Sequence, residues 1–443
     1  MAVILEDDGA SDAGSGSGQP ASLARRVSFN EQGGQTKMSK KIAVEQLKPG
    51  MYICDLGSDW MAHPFLRSKL LIRDEEQIRK IVESGIHEVY IDPKRGKDVV
   101  DAPTHQEVRE QITEEIHKLA SEQTPVRKVS VGEELEKAKK IHSEAKGIIR
   151  NIMQDVRLGK QVRAEMVEPV VEKMTDSILR NGGALLSLTR VKNKDDYTFL
   201  HSVSVCALQV SFCHALGMDA QTTHLAGVGG LLHDIGKVKT PDAILNKPGR
   251  LTDEEFAIMK CHVVESKKIL SETDGIQEIS IQVAAQHHER HDGSGYPEGL
   301  KGEAISQMGQ MAAICDVYDA ITSDRVYHKG MLPHDALRKI FEWSKFHFNP
   351  QLVQQFLRII GIYPVNTFVM LESERIAVVL EQAEGNLLQP VVKVIYDSKR
   401  QQYLPPQIID LAKPLGHGGG DRIVGHESPE KWGIDAAKFM LTV

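Results

Sequence analysis

A chain of 443 residues with 41% hydrophobic and 26% charged residues is too long for one ordinary core, and its net charge of −7 argues against a general nucleic-acid coat. No apolar run approaches the roughly 18 residues of a membrane span, so neither a membrane span nor a DNA or RNA partner is expected. Cys54, Cys206, Cys213, Cys261 and Cys315 form no CxxC pair, and the first residues lack the basic and apolar regions of a signal peptide. A reducing cytoplasm fits both.

Residues 1–38, including GASDAGSGSGQPAS, carry no apolar period and read as a disordered leader. Over 39–103 the text predicts a small α+β domain: two short strands around a KPG turn, a strand at KLLI, a helix at DEEQIRKIVESG and a strand at HEVYID. Residues 104–162 form a helical linker in which Leu135, Ala138, His142, Ala145, Ile149, Ile152 and Val156 alternate three and four apart. That seam either pairs with a second copy, giving a homodimer through residues 132–157, or packs on its own domain. From 163 to 362 the reading is all-helical, broken at turns such as RNGG, NKPGRL and DGSGYP. The period then changes to two in FVML, RIAVVLEQ and PVVKVIYD, so 363–443 is a β-rich appendage in which LGHGGGDRIVG is loose and DAAKFML is a small helix. The fold class is mainly α, an all-helical bundle between two small units.

Several polar residues of the helical domain fall on apolar stripes. His201 shares one with Val205, Leu208 and Phe212; His233 and Asp234 stand together in an otherwise apolar helix. Thr252 and Glu255 make a capping box for the helix that carries His262 on one side with Ile258 and Ile269. His287 continues the stripe of Ile276, Ile279 and Val283, with His288 rotated about 100° from it, so these two are expected to serve different metals. Ala312, Asp316, Asp319 and Ser323 share one face. A buried His beside a carboxylate costs several kcal/mol unless each finds a partner, and a metal suits both. Cys261 and Cys315 read as small buried fillers, His291 as a solvent or supporting residue, and His214 and His224 as structural.

HDIGK at 233–237, HHERHDGSGYP at 287–297 and DVYDAITSDR at 316–325 resemble the signature set of HD-GYP domains, a branch of the HD phosphohydrolase superfamily. The resemblance implies an HD-type metal-binding bundle that hydrolyses cyclic di-GMP to pGpG or GMP. It implies as metal ligands His201, His233, Asp234, His262, His287, His288 and Asp316, with Asp234 bridging. Lys237 matches a lysine on the scissile phosphate, Arg325 an arginine that holds phosphate, and Asp319 a second acid near the site. Gly295, Tyr296 and Pro297 are the GYP, with Tyr296 expected at the pocket rim where a guanine base would meet it. The segments on either side also resemble a domain of unknown function and a β-rich tail.

Members with a third metal carry a glutamate where this chain has Tyr197, so two metals are expected. His328 stands where some members have a basic residue. The implied metals are iron or manganese; the mixed nitrogen and oxygen donors also admit zinc, nickel or cobalt and disfavour magnesium and calcium. Two such metals generate a hydroxide for in-line attack on phosphorus, with Lys237 and Arg325 neutralising the phosphate oxygens. The proton for the leaving oxygen comes from Asp319 or from a metal-bound water. The alternative function is a receptor for the same dinucleotide that signals to protein partners through the GYP loop.

Overall fold

The computed structural model describes residues 38–57, 69–120, 129–189, 196–247, 249, 251–323, 330–382, 386–414 and 420–440. The leader up to residue 37 lies outside them, as do Arg325 and His328.

Strands β1 (Lys40–Ala43), β2 (Tyr52–Asp55), β3 (Leu70–Leu71) and β4 (Glu88–Ile91) form an antiparallel sheet of order β1-β4-β2-β3. Helix α1 (Glu75–Glu83), capped by the Asp74 side chain on the Gln77 N–H, buries Ile78 and Ile81 against it. Helices α2 (His105–Ala120) and α3 (Val131–Arg157) lead into the bundle. The bundle comprises α4 (Ala164–Leu188), α5 (Tyr197–Ala215), α6 (Ala220–Leu232), the single turn α7 (Asp242–Leu245), α8 (Asp253–Ser271), α9 (Glu278–Gln286), α10 (Gln307–Thr322), α11 (Pro333–Trp343) and α12 (Pro350–Ile360).

The seam of α3 is filled from within the chain. Leu135, Ala138, Ala145, Ile149, Ile152 and Val156 are buried in one cluster with Val167, Val170, Val171, Met174 and Ile178 of α4. Of the two readings of the heptad, the structure has the intramolecular packing, with the seam buried against α4. Fully burying one aliphatic side chain contributes about 1.5–3 kcal/mol, so this seam alone anchors α3 to the bundle. The break expected at RNGG is a kink: Asn181 leaves the helical region (φ −159°, ψ 101°) and its amide donates to Val129 O at 2.8 Å and to Glu381 Oε1 at 3.2 Å.

Strands β5 (Phe368–Leu371), β6 (Arg375–Glu381), β7 (Val391–Asp397), β8 (Gln402–Asp410) and β9 (Ile423–His426) form a second antiparallel sheet of order β8-β7-β6-β5-β9. Val369, Leu371, Ala377 and Val379 join the core that also holds Phe212, Trp343 and Phe356. Two strands here escape a pattern reading. β8 contains Pro405 and Pro406, tolerated because it is an edge strand and because they sit where the register shifts between the Val394↔Gln407 and Tyr396↔Tyr403 pairs. β9 corrects part of the loose reading of LGHGGGDRIVG: Ile423–His426 pairs with β5, although it shows no alternation for a pattern to find. The expected small helix near the end is a 3₁₀ turn at Ala436–Lys438.

The N-terminal unit is tied to the bundle by polar contacts. Tyr90 Oη donates to Glu342 at 2.7 Å, Lys41 pairs with Glu342 at 2.6 Å, and His87 Nε2 meets Asp292 at 2.8 Å. Among the described residues no helix is long and apolar enough to cross a membrane. Replacing Ile149 by Ala should lower stability in urea denaturation by about 2–5 kcal/mol, as for other large-to-small core changes, and leave the sedimentation coefficient unchanged.

Candidate metal centre

Five helices converge on one buried point. His201 comes from the middle of α5, His233 and Asp234 from the end of α6, His262 from α8, His287 and His288 from the end of α9, and Asp316 from α10; all seven are at most 4% exposed. The HD pair is not inside a helix as its apolar surroundings suggested. Leu232 ends α6, His233 caps it, and Asp234 opens a 3₁₀ turn, Ile235–Lys239, that carries Lys237. The turn packs so closely on α8 that a Cβ on Gly236 would lie 2.0 Å from His262 O, and only glycine fits.

Four of the five imidazoles are aimed by a bond on the far side of the ring. His233, His262 and His287 turn Nδ1 to the carbonyls of Gly230, Met259 and Ala284 at 2.8, 2.7 and 2.8 Å, so an Nδ1–H donates there and Nε2 keeps its lone pair. His201 Nδ1 meets Asp319 Oδ2 at 2.6 Å, leaving its Nε2 3.0 Å from Asp316 Oδ1 and 3.7 Å from Asp234 Oδ2. Asp319 therefore sits where a group that orients His201 belongs, rather than where it would protonate a leaving oxygen.

The two central carboxylates span the site. Asp234 Oδ1 lies 3.3 Å from His262 Nε2 and 3.9 Å from His287 Nε2, and its Oδ2 lies 3.3 Å from His233 Nε2 and 2.5 Å from Lys237 Nζ. Asp316 Oδ1 faces His201 while its Oδ2 is 3.7 Å from His288 Nδ1. Two groups result, His262 with His287 and His288, and His201 with His233 and Asp234, each with its donor atoms within 4.8 Å of one another. His287 and His288 thus belong to one group, correcting the expectation that they diverge: α9 ends at Gln286, and beyond it the rings lie 4.2 Å apart between centroids.

His233 Nε2, His262 Nε2, His287 Nε2, Asp234 Oδ1 and Asp316 Oδ2 are buried without a hydrogen-bond partner. Such atoms cost about 1–3 kcal/mol each when left unmet, and these converge. Their chemistry, neutral imidazole nitrogen with carboxylate oxygen, is that of a divalent transition-metal site. Burial pushes His262 down to about 4 and holds His287 and His288 well below the usual histidine range. For His233 burial acts in the same direction, but the Asp234 and Asp316 carboxylates outweigh it and the net shift is upward. Despite burial, Asp234 stays well below the carboxylate range because His233, Lys237 and His262 surround it.

The loop after α9 closes one side. Tyr296 stacks on His288 with 4.7 Å between centroids, and a Cβ on Gly295 would lie 2.3 Å from Arg290 N, so the loop passes only as glycine. Glu289, which the sequence reading missed, is 1% exposed and accepts from the N–H groups of Glu298 and Leu300 at 2.9 Å each. A carboxylate directly after HH and before a glycine turn was the available signal. Pro297 is exposed at the loop's outer edge.

Family comparison follows this geometry. Residues 39–167 match a domain of unknown function (DUF3391) and residues 178–352 match the HD domain. A cyclic di-GMP phosphodiesterase of Pseudomonas aeruginosa is 40% identical over 406 residues, 91% of this chain and 96% of that protein. The chain belongs to the HD-GYP family. A 3'3'-cGAMP-specific phosphodiesterase of Vibrio cholerae is 39% identical over 154 residues, 35% of this chain and 36% of its own length. A solved HDG"Y"P protein of Bdellovibrio bacteriovorus has a TM-score of 0.44 and 18% identity, covering 73% of this chain and 99% of its own.

Of the HD-GYP motif residues, Arg325 lies outside the described residues. Asp196, beside the Tyr197 position, pairs with Lys146 at 3.1 Å and with Arg150, and so is turned from the centre. Ile258 is 43% exposed and does not share the inward face of His262, which is Val263, Ser266 and Leu270. Cys261 is exposed, not a buried filler, because it precedes the inward His262 by about 100° of helix; Cys315 is buried as expected. His214 is exposed, and His224 and His291 are partly buried.

The metal-free protein should lose stability as pH falls from 7 to 5. The unfolded imidazoles bind protons near 6.5, whereas His262, His287 and His288 do so only well below it when folded, so the unfolded state binds more protons across that window. The upward shift of His233 opposes this with one proton against three. The unfolding free energy of metal-free protein from urea titrations should fall by on the order of 1 kcal/mol or more between pH 7 and 5.

Proposed function

We propose that this HD-GYP protein is a metal-dependent phosphodiesterase that hydrolyses cyclic di-GMP to pGpG or GMP in bacterial second-messenger signalling. The observation that carries the reading is the pair of donor groups joined by Asp234 and Asp316, each carboxylate turning one oxygen toward each group. The names of the Pseudomonas and Vibrio relatives support the substrate class, a cyclic dinucleotide.

His201, His233 and Asp234 would hold one divalent metal and His262, His287 and His288 a second, with Asp234 and Asp316 shared and iron or manganese expected. Bound there, two such metals supply Lewis acidity and a nucleophile from water at neutral pH. The chain's own groups do the rest. Nδ1 bonds to Asp319 and to the three carbonyls aim the Nε2 atoms of His201, His233, His262 and His287 inward. Lys237, 23% exposed in the turn after the HD pair, carries a cation beside the shared carboxylate. Lys237 would meet a non-bridging phosphate oxygen, and the HD-GYP resemblance gives Arg325 the same phosphate. No side-chain nucleophile is required, and with Asp319 bonded to His201 the proton for the leaving oxygen would come from water.

The catalytic unit runs over residues 163–362, with 39–103 and the C-terminal sheet as flanking units that regulate or localise it in the cytoplasm. Exposed Pro297, Glu298 and Gly299 leave the outer edge of the GYP loop open to signalling partners.

Purified protein loaded with iron or manganese without oxygen should convert cyclic di-GMP to pGpG or GMP. Replacing Lys237 by Ala should lower kcat by about 100- to 1,000-fold, the range for loss of one transition-state charge contact. Turnover of 3'3'-cGAMP but not cyclic di-GMP would move the substrate assignment. Tight binding of cyclic di-GMP without product would favour the receptor reading.

A further inference from the structure

Lys260 stands on α8 beside the metal centre. Three nearby lysines are neutralised: Lys237 by Asp234 at 2.5 Å, Lys247 by Glu255 at 2.5 Å and Lys267 by Glu298 at 2.7 Å. Lys260 is half-buried, and among the described residues no carboxylate lies within ion-pairing distance of it. What surrounds it is aromatic. Its Nζ is 5.2 Å from the Phe256 ring centre and 5.8 Å from that of Tyr296, and the two rings meet edge to face at 6.3 Å. Phe256 precedes Lys260 by one helical turn on α8, so both project from one face, next to the face that sends His262 inward. Tyr296 in turn stacks on His288. The cluster therefore stands one aromatic ring away from the metal centre, on the wall made by α8 and the GYP loop.

A cyclic dinucleotide brings two phosphodiester anions and two flat bases. Only one phosphate is at the reacting position, and the other half needs a cation and a π surface at a short remove. A lysine ammonium is a compact point charge suited to phosphate, and sequence-tolerant stacking on aromatic side chains is a common way to hold bases. A half-buried lysine without a carboxylate beside it keeps its charge available to an external anion.

We propose that Lys260 and Phe256, beside the GYP tyrosine, form the subsite for the half of the dinucleotide that is not being cut, with Lys260 on the second phosphate and the Phe256 ring against a base. This rests on the phosphodiesterase reading above. The subsite makes the enzyme selective for cyclic dinucleotides over diesters with a single phosphate.

The test compares wild type, Lys260→Gln and Lys260→Arg in the full chain, with metal content measured on each. For cyclic di-GMP, Lys260→Gln should raise KM about tenfold with kcat within about twofold, and Lys260→Arg should recover most of the loss, a pattern of lost ground-state binding. For bis(p-nitrophenyl) phosphate, KM should be unchanged in both variants. An equal effect on the two diesters, a fall in kcat alone, or an unchanged KM for cyclic di-GMP overturns the proposal. If wild type cleaves neither diester, the phosphodiesterase reading fails. The subsite is then decided by the equilibrium Kd for cyclic di-GMP: tenfold weaker in Lys260→Gln keeps it, and equal affinity ends it.

Discussion

Asp234 is a carboxylate held in a dry interior with imidazoles on both of its oxygens, and the architecture of the bundle follows from keeping it there. An ionised acid at 1% exposure is tolerated only where positive charge or strong donors surround it, and here they arrive from three neighbouring helices and one lysine. That convergence sets the packing. The HD turn must touch α8 backbone to backbone, which is why residue 236 is glycine, and α5 and α10 must bring His201 and Asp316 to within 3.0 Å. The hydrophobic clusters on either side hold these helices at that spacing; the polar centre gives them little stability of its own without a cation.

The same arrangement extends outward in layers. Asp319 fixes the ring of His201, carbonyls one turn back fix three more imidazoles, and Glu289 gathers the N–H groups of Glu298 and Leu300 so that the GYP loop can lay Tyr296 on His288. Asp292 of that loop is held by His87 from the N-terminal unit and by His347, which gives a unit far away in sequence a direct hold on the wall of the site.

Much of this was legible in the residues. Polar side chains on apolar stripes marked His201, His262 and Asp316 as inward, and the seam of α3 was visible as a heptad although its partner was not, since a heptad does not say whether it meets its own chain or a copy. What failed did so at helix ends. The divergence expected of His287 and His288 assumes helical geometry that stops at Gln286, and the helical setting of His233 and Asp234 stops at Leu232. Long-range pairings carry no local signature either: Asp319 behind His201, Glu289 under the loop and the edge strands β8 and β9 are set by tertiary contacts. Lys260 illustrates the same limit, for nothing in DEEFAIMK tells that its lysine ends between two rings rather than beside an acid.

The central claim is that unpartnered buried donors at this point exist to hold two metals that share Asp234. Elemental analysis of protein purified without chelators tests it most directly, on wild type, His262→Ala and Asp234→Ala. The account predicts about two divalent transition-metal ions per chain in wild type, about one in His262→Ala and close to none in Asp234→Ala. A folded wild-type protein that retains no metal, or an Asp234→Ala protein that retains as much as wild type, would contradict it.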